Sequence, residues 1–224
     1  ASIARRLTLS RQLARAADGY GGRWVWGRPA GDPHIIPLLE DALAAIGDDD
    51  SAERVKLLGR LACAHRSDKD REIGANLSAQ AIAIARRIGD PGTLAYALDA
   101  HYGANFWYDN ADERLDLTDQ EMVAARESGS KERIVHALAG RLGALLELGR
   151  MHDAEATLDD LARLADEIRQ PAQQWIASGT RTMLALLRGE FDLAEGLMHE
   201  ELHLMFRSTR EPALVLRLDR LEVG

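Results

Sequence analysis

Apolar residues recur every three or four positions along most of this 224-residue chain, with polar residues between them. Such spacing places the apolar side chains on one face of a helix, which has about 3.6 residues per turn. Gly, Pro, Asn and Asp interrupt the pattern at short intervals, as they do at helix ends. No segment shows the apolar–polar alternation of a strand. The pattern therefore predicts an all-α protein built from many short amphipathic helices.

The helical pattern repeats with a constant period. Similar segments begin at Ser51, Pro91, Lys131, Pro171 and Glu211, each 40 residues after the one before. Each of the first four segments reaches a break rich in Gly, Asn or Asp and then continues into a second helical pattern. The chain is therefore expected to contain four helix-turn-helix repeats and the start of a fifth. The four repeats are residues 51–90, 91–130, 131–170 and 171–210.

Aligned positions in the repeats have similar side chains. Two columns of the first helices are mostly apolar and predict core positions: Val55, Ala95, Val135 and Trp175 in one, and Leu58, Leu98, Leu138 and Ser178 in the other. A column of the second helices holds Ala85, Ala125 and Ala165. Small side chains there would let neighbouring helices approach closely.

One helix pair cannot bury its apolar face alone, whereas stacked pairs share a continuous core. The pattern therefore predicts a right-handed α-solenoid with a 40-residue period over residues 51–224. Residues 1–50 differ, because they comprise an N-terminal helix over residues 1–18, a Gly/Pro-rich loop and a capping helix. Trp24 and Trp26 lie in that loop, either as core anchors at the end of the array or as a ligand-facing clamp.

The charge of the chain limits its partners. It has 28 Lys and Arg against 36 Asp and Glu, a net charge of −8. An acidic chain binds the phosphate backbone of nucleic acids weakly, so we expect no direct binding of nucleic acid. No apolar run reaches the roughly 18 residues that cross a bilayer, and no signal-peptide pattern is present, so no membrane partner is expected.

A single cysteine, Cys63, suits a reducing cytoplasm and predicts a buried structural thiol rather than a nucleophile. The first residue is Ala, and the last segment reads as a helix barely begun. We therefore expect a cytoplasmic protein whose chain here is a piece of a longer polypeptide.

Two segments, LLELGRMHDAEATLDDLARLA and LALLRGEFDLAEGLMHEEL, resemble tetratricopeptide repeats. Gly149 and Gly189 stand where that family has Gly near the end of its first helix. Ala154 and Ala194 stand where it has a small residue early in the second. The period of 40 residues departs from the usual length of about 34. Residues 51–130 also lack the clean Gly-x-x-x-x-Ala turn, which makes these divergent repeats.

A closer resemblance covers nearly the whole chain. It is carried by GGRWVWGRPAGDPHIIPLLEDALAAIGDDDSAERVKLLGRLA, IARRIGDPGTLAYALDAHY, GRLGALLELG and RQPAQQW. These segments resemble the helical repeat region of large bacterial signal-transduction ATPases, which include LuxR-type transcriptional regulators and ATPase-linked adenylate cyclases. In such proteins an ATPase module precedes the repeats, and a DNA-binding or cyclase domain lies elsewhere.

The resemblance implies a region that senses a ligand or partner and restrains the ATPase. The 224 residues contain no G-x-x-x-x-G-K-[ST] phosphate loop and no recognisable DNA-reading helix-turn-helix. We therefore expect a non-catalytic sensor or scaffold domain without a cofactor. Its expected partners are its own ATPase and output domains or another protein. A stand-alone protein–protein adaptor is the alternative.

A ligand would bind on the concave face, which the first helices of such a solenoid line. One column there reads Leu61, His101, Arg141 and Arg181, and its cations could receive a carboxylate or phosphate. Alternatively, each cation pairs with an acid such as Asp99, Glu147 or Asp219. The predicted binding residues, for a partner or a small anionic ligand, are His101, Tyr102, Asn105, Trp107, Arg141 and Arg181.

The motif HEELH, which begins at His199, matches the H-E-x-x-H pattern of zinc metalloproteases. His199 and His203 would bind zinc one turn apart and Glu200 would act as general base, but a third protein ligand is also required. Phe206 and Thr209 stand where the extended motif has Gly and His. The repeat register places both histidines in mixed, mostly polar columns. We therefore predict no catalytic residue and no metal site, and rank a zinc hydrolase last.

Overall fold

In the computed structural model of this protein the described residues are 1–20, 22 and 32–208, without the side chains of residues 68 and 202–208. They form eleven α-helices and one short 3-10 helix (Asp68–Asp70), with no strand among them. The all-α prediction is therefore confirmed. The predicted loop with Trp24 and Trp26, and the predicted fifth repeat from Glu211, lie outside the described residues.

The helices follow one another closely along the chain. They are α1 (Ser2–Arg6), α2 (Ser10–Tyr20), α3 (Ile35–Ile46), α4 (Ala52–Ala64), α5 (Arg71–Ile88), α6 (Pro91–Ala104), α7 (Ala111–Glu127), α8 (Lys131–Glu147), α9 (Met151–Ile168), α10 (Pro171–Arg188) and α11 (Phe191–Ser208).

The N-terminal segment forms two helices where the sequence predicted one. Thr8 adopts a left-handed backbone conformation (φ 52°) between α1 and α2. Ala4 and Leu13 are nine residues apart, so a straight helix would place them on opposite faces. The break at Thr8 brings both side chains into one apolar cluster with α3 and α4. α2 and α3 thereby pack against α4, and α1 packs against α2.

Local side chains fix where several helices begin. Pro91 and Pro171 stand at the first position of α6 and α10, as predicted, where a missing N–H removes no helical hydrogen bond. At the starts of α4, α6 and α8, a side-chain oxygen accepts a hydrogen bond from a backbone N–H. The pairs are Ser51 with Arg54 (3.2 Å), Asp90 with Thr93 (2.8 Å) and Ser130 with Arg133 (3.3 Å).

The predicted core columns are mostly confirmed. Ala85, Ala125 and Ala165 are fully buried, and the two columns of the first helices are buried at Val55, Ala95, Val135, Leu58, Leu98, Leu138 and Ser178. Trp175 is the exception, because its side chain is 41% exposed. The indole is far larger than the valine and alanine aligned with it. A position that encloses those residues therefore leaves much of the ring in solvent.

The chain divides into two compact units, the first comprising Ala1–Leu148 and the second beginning at Gly149. In the first unit, an apolar cluster joins α4, α5 and α6, and another joins α6 and α7. In the second unit, α10 packs against both α9 and α11. Within the described residues, no helix is both long enough and apolar enough to cross a membrane.

Candidate functional site

His101 lies half-buried near the end of α6, in a small polar cluster. Asn105 caps the helix by donating from Nδ2 to the His101 carbonyl oxygen (2.9 Å). The His101 Nδ1 lies 2.8 Å from the Ser78 hydroxyl of α5 and 3.2 Å from Asn105 Nδ2. Burial lowers the pKa of His101, so the imidazole is neutral at pH 7. At that pH His101 offers an anion a hydrogen bond rather than a charge.

Tyr102 is buried where α6 meets α7 and α8. Its hydroxyl donates to the Gly140 carbonyl oxygen of α8 (2.8 Å) and accepts from Arg114 Nη1 of α7 (3.2 Å). The ring can approach α8 because that helix has glycines there, and a Cβ on Gly143 would lie 3.2 Å from the Tyr102 hydroxyl. Burial raises the pKa of Tyr102 to about 12. Tyr102 therefore joins three helices as a neutral hydrogen-bonding group.

Arg114 is a buried cation at the centre of this network, and the sequence pattern did not single it out. Its guanidinium carbon lies 4.3 Å from the Phe106 ring centre and 5.4 Å from that of Tyr102, within range of cation–π attraction. Besides the Tyr102 hydroxyl, the guanidinium donates to three oxygens: Asn110 Oδ1 (2.9 Å), the Trp107 carbonyl (3.2 Å) and the Glu147 carboxylate. Its charge is therefore compensated within the first unit.

Trp107 lies in the turn between α6 and α7, beside the same network. The Arg71 guanidinium lies over its ring, 5.0 Å from the ring centre, and also pairs with Asp109 through two hydrogen bonds (2.9 and 3.1 Å). The buried indole Nε1 has no hydrogen-bond partner among the described residues. The structure thus brings His101, Tyr102, Asn105 and Trp107 together at one end of α6.

The two predicted arginines have different surroundings. Arg141, on α8 of the first unit, forms an ion pair with Asp119 of α7. Pairing with an acid was the alternative to ligand binding, although Asp119 was not among the acids suggested. Arg181, on α10 of the second unit, is exposed and forms no ion pair with any described residue. Its guanidinium is therefore open to an anion.

A groove in the second unit contains Arg181. This cavity of about 420 Å³ lies where α9, α10 and α11 meet. Its floor is apolar and buried, and consists of Leu158, Leu184 and Ala185. Leu193 and Leu197 of α11 add an apolar wall. The volume falls in the range of roughly 300–1,000 Å³ that is typical of small-molecule sites.

Charged side chains surround this apolar floor. Arg188 of α10 pairs with Glu155 of α9, so these two charges compensate each other. Asp159 and Glu190 also line the groove, and neither forms an ion pair with a described residue. The groove therefore presents one uncompensated cation, Arg181, and two uncompensated carboxylates.

A cluster of buried titratable groups lies among α6, α7 and α8. Asp99 Oδ2 accepts a hydrogen bond from Arg133 Nη1 (3.2 Å) and lies 2.9 Å from His136 Nδ1. Glu121 is also buried, and its Oε1 has no hydrogen-bond partner among the described residues. Burial raises the pKa of Glu121 well above its usual range, and the Asp99 charge raises it further, while Arg133 opposes the change. Protonation of Glu121 is therefore favoured in the folded chain.

The HEELH motif lies on α11. His199 and Glu200 are exposed, whereas Glu201 faces α10, where Oε1 accepts a hydrogen bond from Thr182 Oγ1 (2.7 Å). The side chain of His203 is outside the described residues. Among the side chains that are described, no group of three or more His, Cys, Asp and Glu is arranged to hold a metal ion. The absence of a zinc site therefore stays a prediction.

Cys63 is buried in α4, as predicted. Its sulfur lies 3.4 Å from the Ala100 carbonyl oxygen of α6. Burial raises the pKa of the thiol to about 12, so the reactive thiolate is disfavoured. Cys63 is therefore a packing residue in this fold.

Arg181 is exposed beside the groove of the second unit, whereas the charges of Arg114 and Arg141 are already paired. No protein-family model matches the chain, and no curated protein matches it significantly.

Proposed function

We propose that this chain is a non-catalytic helical repeat domain of a larger cytoplasmic regulator, and that it binds a partner or a small ligand. The intervals between helices carry this proposal. The helices α5, α7, α9 and α11 begin at Arg71, Ala111, Met151 and Phe191, which are 40 residues apart. Equal spacing without insertions supports a right-handed α-solenoid, in which every repeat meets its neighbours in the same way.

The distribution of charge supports binding rather than catalysis. In the first unit, Arg114 and Asp99 are bound to other side chains of the interior and hold helices together. In the second unit, Arg181 is exposed beside an apolar groove. A positioned but uncompensated charge next to apolar surface is what an orienting contact for a ligand requires.

Regulation would act through a shift between two states of the repeats. A ligand changes such an equilibrium only by the difference in its affinity for the two states. The second unit offers such a difference, because groove residues come from three separate helices. A change in the angle between α9, α10 and α11 would move Arg181 relative to Asp159 of α9 and Leu193 of α11. The signalling and transcriptional role follows from the resemblance to repeat regions of signal-transduction ATPases.

A stand-alone adaptor is the second candidate, and exposed apolar side chains at the α10–α11 turn favour it. Leu187 and Phe191 are 70% and 68% exposed. Charge reversal at Arg181 discriminates between roles for that residue. If Arg181 binds an acidic partner, Arg181→Glu abolishes binding while the unfolding free energy is unchanged. A structural arginine would show the opposite result.

The proposed function is tested in the full polypeptide that contains this chain. Its rate of nucleotide hydrolysis is measured with the chain intact, with residues 51–208 deleted, and with Arg181→Glu. We expect the deletion to change the basal rate several-fold and Arg181→Glu to alter the response to the partner or ligand. The matched control is Arg163→Glu, on the exposed face of α9. If the deletion changes neither the rate of nucleotide hydrolysis nor the activity of the output domain, the proposal is wrong.

A further inference from the structure

The groove of the second unit has an elongated charge pattern. Arg181 and Arg188 both line it from α10, seven residues apart. With about 1.5 Å of rise per residue, roughly 10 Å of helix axis separates them. Glu190 follows directly beyond the end of α10, so it marks the same end of the groove as Arg188. The uncompensated cation and this carboxylate therefore lie at opposite ends.

The surface between the two ends is apolar. Leu184 and Ala185 lie between Arg181 and Arg188 along α10, and Leu158 of α9 joins them. All three are buried floor positions, and Leu193 of α11 is a more exposed wall. An occupant would therefore place an apolar body over this floor and a charged group at each end. The pairing of Arg188 with Glu155 leaves Arg181 as the anion contact and Glu190 as the cation contact.

We propose that this groove binds an elongated zwitterion, an apolar body with a carboxylate at one end and an ammonium group at the other. A tripeptide with free termini and aliphatic side chains has this chemistry. Three extended residues span roughly 10 Å, similar to the roughly 10 Å of helix axis from Arg181 to Arg188, at the end where Glu190 lies. The carboxylate binds Arg181, whose planar guanidinium can donate two parallel hydrogen bonds. The ammonium group binds Glu190.

This inference rests on the proposed function, because it names the class of ligand that the repeat domain senses. Asp159 is the competing cation contact. It lies on α9 one turn from Glu155, and therefore nearer to the Arg181 end than Glu190 does. Binding of a short zwitterion such as a single amino acid would use Arg181 and Asp159. Binding of the elongated one uses Arg181 and Glu190.

The test is a calorimetric titration of the 224-residue chain with trileucine at pH 7 and low ionic strength, since salt screens exposed charges. We expect saturable binding that Arg181→Gln weakens about tenfold, the factor appropriate to one charge-assisted contact. Trileucine amide lacks the carboxylate. The amide should bind the unaltered chain more weakly than trileucine does. It should bind the unaltered and Arg181→Gln chains with equal affinity, and these four affinities form a double-mutant cycle.

Matched variants separate the contacts. Arg163→Gln removes an exposed arginine of α9 that pairs with Asp160 and Glu167 outside the groove, and it should leave the affinity unchanged. Glu190→Gln should weaken trileucine several-fold but leave N-acetyl-trileucine unaffected. Asp159→Asn should weaken trileucine binding less than Glu190→Gln does. Circular dichroism of each variant checks that the helices are retained.

Three results would overturn the inference. These are no binding of trileucine at millimolar concentration, equal affinity of the unaltered and Arg181→Gln chains, or single leucine binding as tightly as trileucine. The proposed function is separately decided by the deletion of residues 51–208. If that deletion changes nucleotide hydrolysis while trileucine fails to bind, the regulatory role stands and only this ligand class is wrong.

Discussion

The stability of Glu121→Gln relative to the unaltered protein should rise with pH above pH 5, until the raised pKa of Glu121 in the folded chain is passed. Glu121 is buried in α7, and its Oε1 accepts no hydrogen bond from any described residue. The groups facing it from the neighbouring helices are Asp99 of α6 and Arg133 of α8, with His136 bound to Asp99. Gln has nearly the same shape as Glu but cannot ionise.

The magnitude follows from proton linkage. Burial and the Asp99 charge raise the pKa of Glu121 well above its usual value of 4.5 in the folded chain. Between those two pKa values the folded chain holds one more proton at this site than the unfolded chain. The unfolding free energy of the unaltered protein therefore falls by up to about 1.4 kcal/mol per pH unit in that window. This contribution is fully present below pH 4.5 and is lost as the pH rises through the folded pKa.

The glutamine variant lacks this linkage. Its stability relative to the unaltered protein should therefore rise by the same slope of about 1.4 kcal/mol per pH unit until the folded pKa of Glu121 is passed. At pH 5 the variant starts at a disadvantage, because a buried amide donor without a partner costs about 1–3 kcal/mol. Titrating groups that do not interact with Glu121 affect both proteins equally and cancel in the difference.

Urea unfolding at pH 5, 6, 7 and 8, monitored by helical circular dichroism, measures this difference. Glu113→Gln is the matched control, because Glu113 is exposed on the same helix. Its difference from the unaltered protein should be independent of pH. A stability difference for Glu121→Gln that is flat or falls with pH would refute the assignment of a raised pKa to Glu121.

Three further predictions concern packing. Gly59→Ala should destabilise the chain by about 1–3 kcal/mol in urea unfolding, because the new Cβ would lie 2.7 Å from the Ala100 Cβ; Gly196→Ala, which meets no atom within 4 Å, should instead stabilise by about 0.5–1 kcal/mol. Arg114→Met should cost about 2–3 kcal/mol, less than a fully buried ion pair, because the Glu147 side chain is 34% exposed and can bind water; a loss below about 0.5 kcal/mol would contradict a structural role. Cys63 should react with a thiol reagent only as fast as the chain unfolds, and faster labelling in the native state would argue against its burial.

Several helix boundaries could be predicted because they depend on local chemistry. Pro91 and Pro171 identify helix starts, since proline lacks only an N–H that the first turn does not use. Gly89 and Gly189 end α5 and α10 in the left-handed conformation that glycine tolerates best. The break at Thr8 was not predicted, because it depends on how Ala4 and Leu13 pack against other helices.

The buried charges of α7 were missed for a related reason. Charged residues are rarely buried, so side-chain type alone gave no reason to place Arg114 and Glu121 in the interior. A signal was nevertheless present. Arg114, Thr118, Glu121 and Ala125 are spaced four, three and four residues apart, which places them on one helix face. Ala125 belongs to the predicted close-contact column, so its face should have been assigned to the interior.

The candidate site was predicted only in part. The structure places His101, Arg141 and Arg181 on α6, α8 and α10, and their role in binding stays a prediction. The pairing of Arg141 with Asp119 depends on the register between α7 and α8, which side-chain periodicity does not specify. The groove beside Arg181 likewise depends on the packing of α9 and α11, so no single helix pattern predicts it.

The central claim is that the chain binds a molecule through the Arg181 groove rather than acting as a catalyst. Native mass spectrometry of the chain, purified from its own cells without denaturation, tests this most directly. The account predicts a retained small organic mass on the unaltered protein and on Arg163→Gln, and its loss from Arg181→Gln. A chain that carries no such mass, or the same mass on all three proteins, would contradict it.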